Sequence, residues 1–79
     1  MKVTKYKHAC LVIENEGKAL VIDPGDQSTD FVVPKNVVAV VITHEHPDHL
    51  DTDKLQQIAS ENPDVVMLAH PEVTSAITL

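Results

Sequence analysis

His44, His46, Asp48 and His49 fall within six consecutive residues, directly after the unbroken apolar run Val37–Ile42. Imidazole and carboxylate are the donors that hold catalytic zinc. Read as H-x-H-x-D-H, the segment supplies two ligand sets from one loop, which is what a two-metal hydrolytic centre needs. In extended backbone, residues two apart point to the same side, so His44 and His46 can converge on one ion. Asp48 and His49 are adjacent and diverge unless the chain turns. Pro47 and the onset of a helical turn permit that redirection, toward a second ion about 3.5 to 4 Å from the first. One or two Zn²⁺ ions suit these donors best. Fe²⁺, Mn²⁺ and Co²⁺ are compatible too, because affinity order alone does not choose. The loop has no thiolate, which argues against a closed structural zinc finger, and Glu45, between two ligands, should face solvent.

The elements that must hold this loop can be read from pattern and punctuation. Residues 2–6 alternate polar and apolar side chains and 9–14 form a mostly apolar run, so two short strands are expected. Asn15-Glu16-Gly17-Lys18 supplies a turn with Gly17 available for positive φ, and residues 19–22 make the returning strand. Asp23-Pro24-Gly25-Asp26 ends it sharply, and residues 27–36, without a clear period, read as loop. Residues 37–43 are apolar on both faces, as suits a strand covered on both sides. A helix is expected from near Thr52, with Asp51 or Thr52 as N-cap, to just before Asn62-Pro63. Residues 65–69 read as a further strand and 71–77 as a second helix opened by Pro71. Strand, helix and strand between 37 and 69 form a βαβ unit, expected to be parallel with a right-handed crossover. If the strands run the same way, Asp23, the 44–49 segment and His70 all lie at carboxyl ends of strands, where α/β folds place their ligands.

Composition narrows the function classes. The 79 residues carry a net charge of −6, and their six cationic side chains are all lysines, three of them at Lys2, Lys5 and Lys7. Such a balance argues against nucleic acid as a partner, since counterion release needs clustered cations. Cys10 is the only cysteine, so no internal disulfide can form, and its apolar surroundings predict a buried, inert thiol. No signal-like segment and no run of eighteen apolar residues is present, so a soluble, cytoplasmic protein without a membrane partner is expected. A chain this short holds one domain at most.

Residues 43–50, Thr-His-Glu-His-Pro-Asp-His-Leu, preceded by Leu20-Val21-Ile22-Asp23-Pro24-Gly25, resemble the first two motifs of the metallo-β-lactamase-fold hydrolase superfamily. Residues 3–14 further resemble its small cytoplasmic branch related to the ascorbate-phosphate lactonases. That resemblance implies an α/β fold of the αββα sandwich type, of which residues 1–79 would be a single partial domain, the N-terminal half: β-hairpins followed by a βαβ unit. It implies that His44 and His46 bind a first metal and Asp48 and His49 a second. Asp48 would also orient the hydroxide that attacks a carbonyl or phosphoryl centre. His46 stands where related di-iron oxygen-reducing proteins carry Glu, which favours a hydrolase. A mononuclear iron dioxygenase branch keeps the same histidines.

Asp23 resembles the superfamily's buried aspartate, which supports the metal loop by hydrogen bonds; as a bare residue before Pro-Gly it is also a turn former. His8 is either satisfied locally or lines the pocket, and His70 is a pocket-edge or helix-capping candidate.

The superfamily's later motifs, a further histidine, a bridging aspartate and a last histidine, have no counterpart in residues 1–79. Each ion is then short of three protein ligands, and the isolated chain is expected to be a poor catalyst. One sheet face would also lack its cover. Either the missing C-terminal half or a homo-oligomer would supply it. The leading expectation is a metal-dependent hydrolase acting on an ester, lactone or phosphodiester of a small-molecule substrate. The alternative is a non-catalytic, truncated or self-associating metal-binding module.

Overall fold

The computed structural model describes residues 1–44 and 51–69. Its hairpin begins where the sequence puts the turn. Glu16 and Gly17 both take positive φ, 52° and 77°, between the paired Asn15 and Lys18. Two consecutive positive-φ residues give a turn whose twist matches that of the flanking strands, β2 (Leu11–Asn15) and β3 (Lys18–Ile22). Ahead of them, β1 (Lys2–Lys5) pairs antiparallel with β2.

Beyond β3 the direction of pairing changes. β4 (Val37–Ile42) lies parallel to β3, and β5 (Val66–Ala69) parallel to β4, giving one five-stranded sheet in the order β1-β2-β3-β4-β5. The expected βαβ unit is therefore present, with α1 (Thr52–Glu61) between β4 and β5. The second helix expected over 71–77 lies outside the described residues.

The core is a single layer between sheet and helix. Val12, Val21 and Val40 are register partners across β2, β3 and β4 and are fully buried, facing Leu55 and Ile58 of α1. A register shift between Ala19 and Leu20 lets Val37 join Val40 and Ile42 on this face, while Val38 turns outward. β4 therefore departs from the two-sided cover its sequence suggests. Among the described residues its other face, with Ala39 and Val41, is only half-buried.

That second face continues across the sheet. Val3, Ile13, Leu20, Ala39 and Val66 form one row, and Leu11, Ile22, Val41 and Leu68 the next. Val3, Val66 and Leu68 are 57%, 52% and 51% exposed. Contiguous apolar surface of this kind marks a place where something else packs.

α1 is fastened at both ends. Asp51 is its N-cap, accepting from the Asp53 N–H at 3.0 Å, with Lys54 Nζ 3.0 Å from the other carboxylate oxygen. At the far end Asn62 Oδ1 accepts from the Val37 N–H at 3.0 Å while Asn62 Nδ2 donates to the Ile58 carbonyl at 3.0 Å, tying the end of the helix to the start of β4.

Two outcomes follow from the packing. Leu55→Ala should cost about 2 to 5 kcal/mol in urea unfolding, as fully buried leucines do, against less than about 0.5 kcal/mol for Gln56→Ala on the exposed side. Cys10 is buried, and desolvation, helped by the negative charges of Asp23 and Asp30, pushes its thiol up to about 11. Its reaction with a disulfide reagent at pH 8 should be negligible until denaturant is added, because the thiolate is the reactive form. Since the unfolded thiol ionises first, Cys10 should also subtract stability as pH rises from 9.0 toward 11.

Candidate metal centre

β1, β3, β4 and β5 all run in one direction, so the loops leaving them collect at one edge of the sheet. This edge carries His8, Asp23, Thr43 and His44. It is the edge at which open α/β sheets present ligand sites.

Asp23 is the centre of the arrangement. Its N–H continues the parallel ladder by donating to the Val41 carbonyl at 2.9 Å, and its φ of 50° then swings the chain off the strand. Left-handed backbone costs a residue with a Cβ roughly 1 to 2 kcal/mol, a penalty that aspartate tolerates better than most. The Gly25 N–H closes the turn onto the Asp23 carbonyl at 2.8 Å. The side chain, 4% exposed, is directed to the end of the neighbouring strand: Oδ1 accepts from the Thr43 N–H at 2.7 Å and Oδ2 from the Thr43 hydroxyl at 2.5 Å. Asp23 is thus a turn former and a side-chain anchor for Thr43 at once.

The anchor extends one residue further on each side. Thr43 Oγ1 lies 3.0 Å from His44 Nδ1. On the other side of the H-x-H-x-D-H segment, the Asp51 N–H donates to the Pro24 carbonyl at 3.1 Å. One dipeptide, Asp23-Pro24, therefore holds both Thr43, just after β4, and Asp51, at the start of α1. Pairing with a residue at the end of the neighbouring strand but twenty or more positions away in sequence is invisible to a local pattern. The cues were that a polar Asp-Pro follows one strand and a Thr-His the next, and that Asp23 resembles the superfamily's buried aspartate.

His44 is exposed at the end of this chain of contacts. His46, Asp48 and His49, the other three expected ligands, lie outside the described residues, as does His70. Among the described residues no three His, Cys, Asp or Glu side chains cluster as a metal site. His8 sits at the same edge in the loop between β1 and β2, with φ of 64°. Its carbonyl and that of Tyr6 accept from Lys5 Nζ, and Lys7 N–H donates to Asp30 at 2.9 Å, so this loop is held on both sides. β1 and β4 are three strand spacings apart, roughly 14 Å, which puts the His8 loop on the rim of the edge and away from His44. Every buried side-chain nitrogen and oxygen among the described residues has a hydrogen-bond partner.

No helix among the described residues is long and apolar enough to cross a membrane.

Comparison with known proteins adds a family to this geometry. Protein Rv0786c of Mycobacterium tuberculosis is 34% identical over 77 residues, which are 98% of this chain and 36% of that protein. A UPF0173 metal-dependent hydrolase of Flavobacterium johnsoniae is 33% identical over 81 residues, covering 95% of this chain and 34% of its own length. A UPF0173 metal-dependent hydrolase of Bacillus cereus is 39% identical over 72 residues, covering 85% and 30%. The chain spans about a third of the length of these curated relatives. No solved structure matches it. The model of the beta-lactamase superfamily domain matches residues 2–77, and with the five-stranded α/β half-sandwich described above, the chain belongs to the metallo-β-lactamase-fold superfamily, as its N-terminal portion.

Proposed function

We propose that this chain carries the first ligand cluster of a metal-dependent hydrolase. The observation that carries the reading is the double anchorage of the H-x-H-x-D-H segment on Asp23 and Pro24, at the carboxyl edge of parallel strands. The names of the Flavobacterium and Bacillus relatives, which describe those proteins as metal-dependent hydrolases, support it.

The donor set fits a divalent metal. Three imidazoles and a carboxylate suit zinc, with Fe²⁺ or Mn²⁺ as substitutes, and the hydrogen-bonded support on His44 is what metal-ligating histidines have elsewhere. In this reading His44 and His46 hold one ion and Asp48 and His49 a second. When bound, such an ion acts as a Lewis acid and lowers the pKa of water enough to supply a nucleophile at neutral pH. The chain's own contribution is positional. Asp48 orients the attacking water toward an ester, lactone or phosphodiester of a small-molecule substrate. Asp23 and Thr43 keep His44 in place, and His8 and His70 contribute to the walls of the pocket. The setting is cytoplasmic, without a nucleic-acid or membrane partner.

The remaining ligands and the far wall come, in this proposal, from the further polypeptide that the longer relatives possess, packed on the open face of the sheet. A specific observation favours a second reading as well. The half-exposed rows from Val3 to Val66 and from Leu11 to Leu68 would let two copies associate face to face, giving a self-associating module without turnover. Light scattering distinguishes them: the isolated 79-residue chain should run as a dimer or larger only if the face is self-complementary.

Metal analysis tests the centre itself. After dialysis the wild-type chain should retain roughly half an equivalent of zinc or more, and His44→Ala or His46→Ala should lose most of it, whereas His70→Ala should not. Retention below about a tenth of an equivalent, or equal loss from all three variants, would overturn the assignment.

A further inference from the structure

We propose that the cavity between β2 and the segment leading into β4 is a second binding site, for a small aromatic carboxylate. The cavity measures about 340 Å³, within the range of small-molecule sites. Glu14 of β2 lines it and alternates onto the face of Val12, so the cavity lies on the helix side of the sheet, away from the open face. Tyr6 and Val32 supply apolar wall, and Lys18, Lys35 and Asn36 supply hydrogen-bond donors. Glu14 is the one carboxylate among the described lining residues. In a chain of net charge −6, this lining therefore carries two cations against one anion. The local charges balance when a ligand brings a single negative charge.

The walls are tied down before any ligand arrives. Ser28 Oγ donates to the Lys7 carbonyl at 2.6 Å, and Asp30 Oδ1 accepts from the Lys7 N–H at 2.9 Å, which fixes the near end of the covering segment. At its far end the Asn36 carbonyl accepts from the Ala19 N–H at 3.0 Å, with Asn36 held at a φ of 57°. The Tyr6 ring stands edge-on to Phe31, their centroids 5.5 Å apart. The cations, by contrast, are not spent. Of the six lysines, Lys5 is bonded to the Tyr6 and His8 carbonyls and Lys54 is paired with Asp51. Among the described residues the ammonium groups of Lys18 and Lys35 have neither a hydrogen bond nor an ion pair, and both residues line this one cavity. An aromatic wall beside two uncommitted cations fits a ring that carries a carboxylate.

This site is independent of the candidate metal centre, and its test needs neither metal nor turnover. Benzoate titrated into the ¹⁵N-labelled chain should shift the amides of Tyr6, Lys18, Lys35 and Asn36 saturably, at roughly millimolar concentration, as a fragment of that size does. The amides of Leu20, Val41 and Leu68, on the open face, should stay unmoved. Benzylamine, of the same size and opposite charge, should not bind. Lys35→Gln and Lys18→Gln should each weaken benzoate by roughly 2- to 5-fold, as loss of one exposed ion pair does, and together by roughly tenfold. Lys7→Gln, which removes a lysine outside the cavity, should leave binding unchanged. Lys35 is exposed and its side chain makes no bond among the described residues, so Lys35→Gln keeps the test decisive if the hairpin variant Lys18→Gln does not fold. Benzylamine binding as tightly as benzoate, benzoate failing to saturate, Lys35→Gln binding like the wild type, or an equal loss from Lys7→Gln would each overturn the proposal.

Discussion

The carboxylate of Asp23 is the interaction on which the working edge depends. A buried acid is costly unless its oxygens are met by donors, and here both are met by a single residue, Thr43, at the end of the adjacent strand. Charge-assisted bonds in a low-dielectric setting are stiff and short. They convert the parallel pairing of β3 and β4 into a fixed separation between the Asp23-Pro24 turn and Thr43. The positive φ of Asp23 is the local cost of that arrangement, and the ladder bond to Val41 and the turn closed by Gly25 hold it in place.

The same turn reaches the helix. Because the Pro24 carbonyl accepts from the Asp51 N–H, the N-cap of α1 takes its position from the end of β3. The buried contacts of Leu55 and Ile58 then set the tilt of the helix on the sheet, and Asn62 ties its last turn to the first residue of β4. Hydrophobic packing holds the layers together, but polar bonds at the two ends determine where along the layers the loops emerge. Both kinds of interaction are needed to fix Thr43 and Asp51 relative to the sheet.

Much of this was legible in the residues. The β-branched runs gave the strands to within two residues at either end, Gly17 gave the hairpin, and Asp51 and Asn62-Pro63 bounded the helix, because each of these signals acts within a few positions. The burial of Cys10 followed from its apolar neighbours. What the sequence did not reveal is long-range. The Thr43 link between Asp23 and His44, the bond from Asp51 to Pro24 and the bond from Asn62 to Val37 join residues twenty or more apart or require a side chain's direction. The shift between Ala19 and Leu20 is of the same kind. It reverses which of Val37 and Val38 is buried, and no periodicity of β4 alone could reveal it, since both are valine.

The hairpin turn at Glu16 and Gly17 lies at the opposite edge of the sheet, at the start of β3 and as far along the strands as possible from Asp23. A Cβ placed on Gly17 would meet nothing within 4 Å, so this tip is bounded by solvent and the backbone's own twist. The molecule thus separates its two ends by tolerance. One end is cross-braced by a buried acid. The other carries a bare turn that could hold a fluorophore, a surface tether or an inserted peptide while the bracing of Thr43 and Asp51 stays undisturbed.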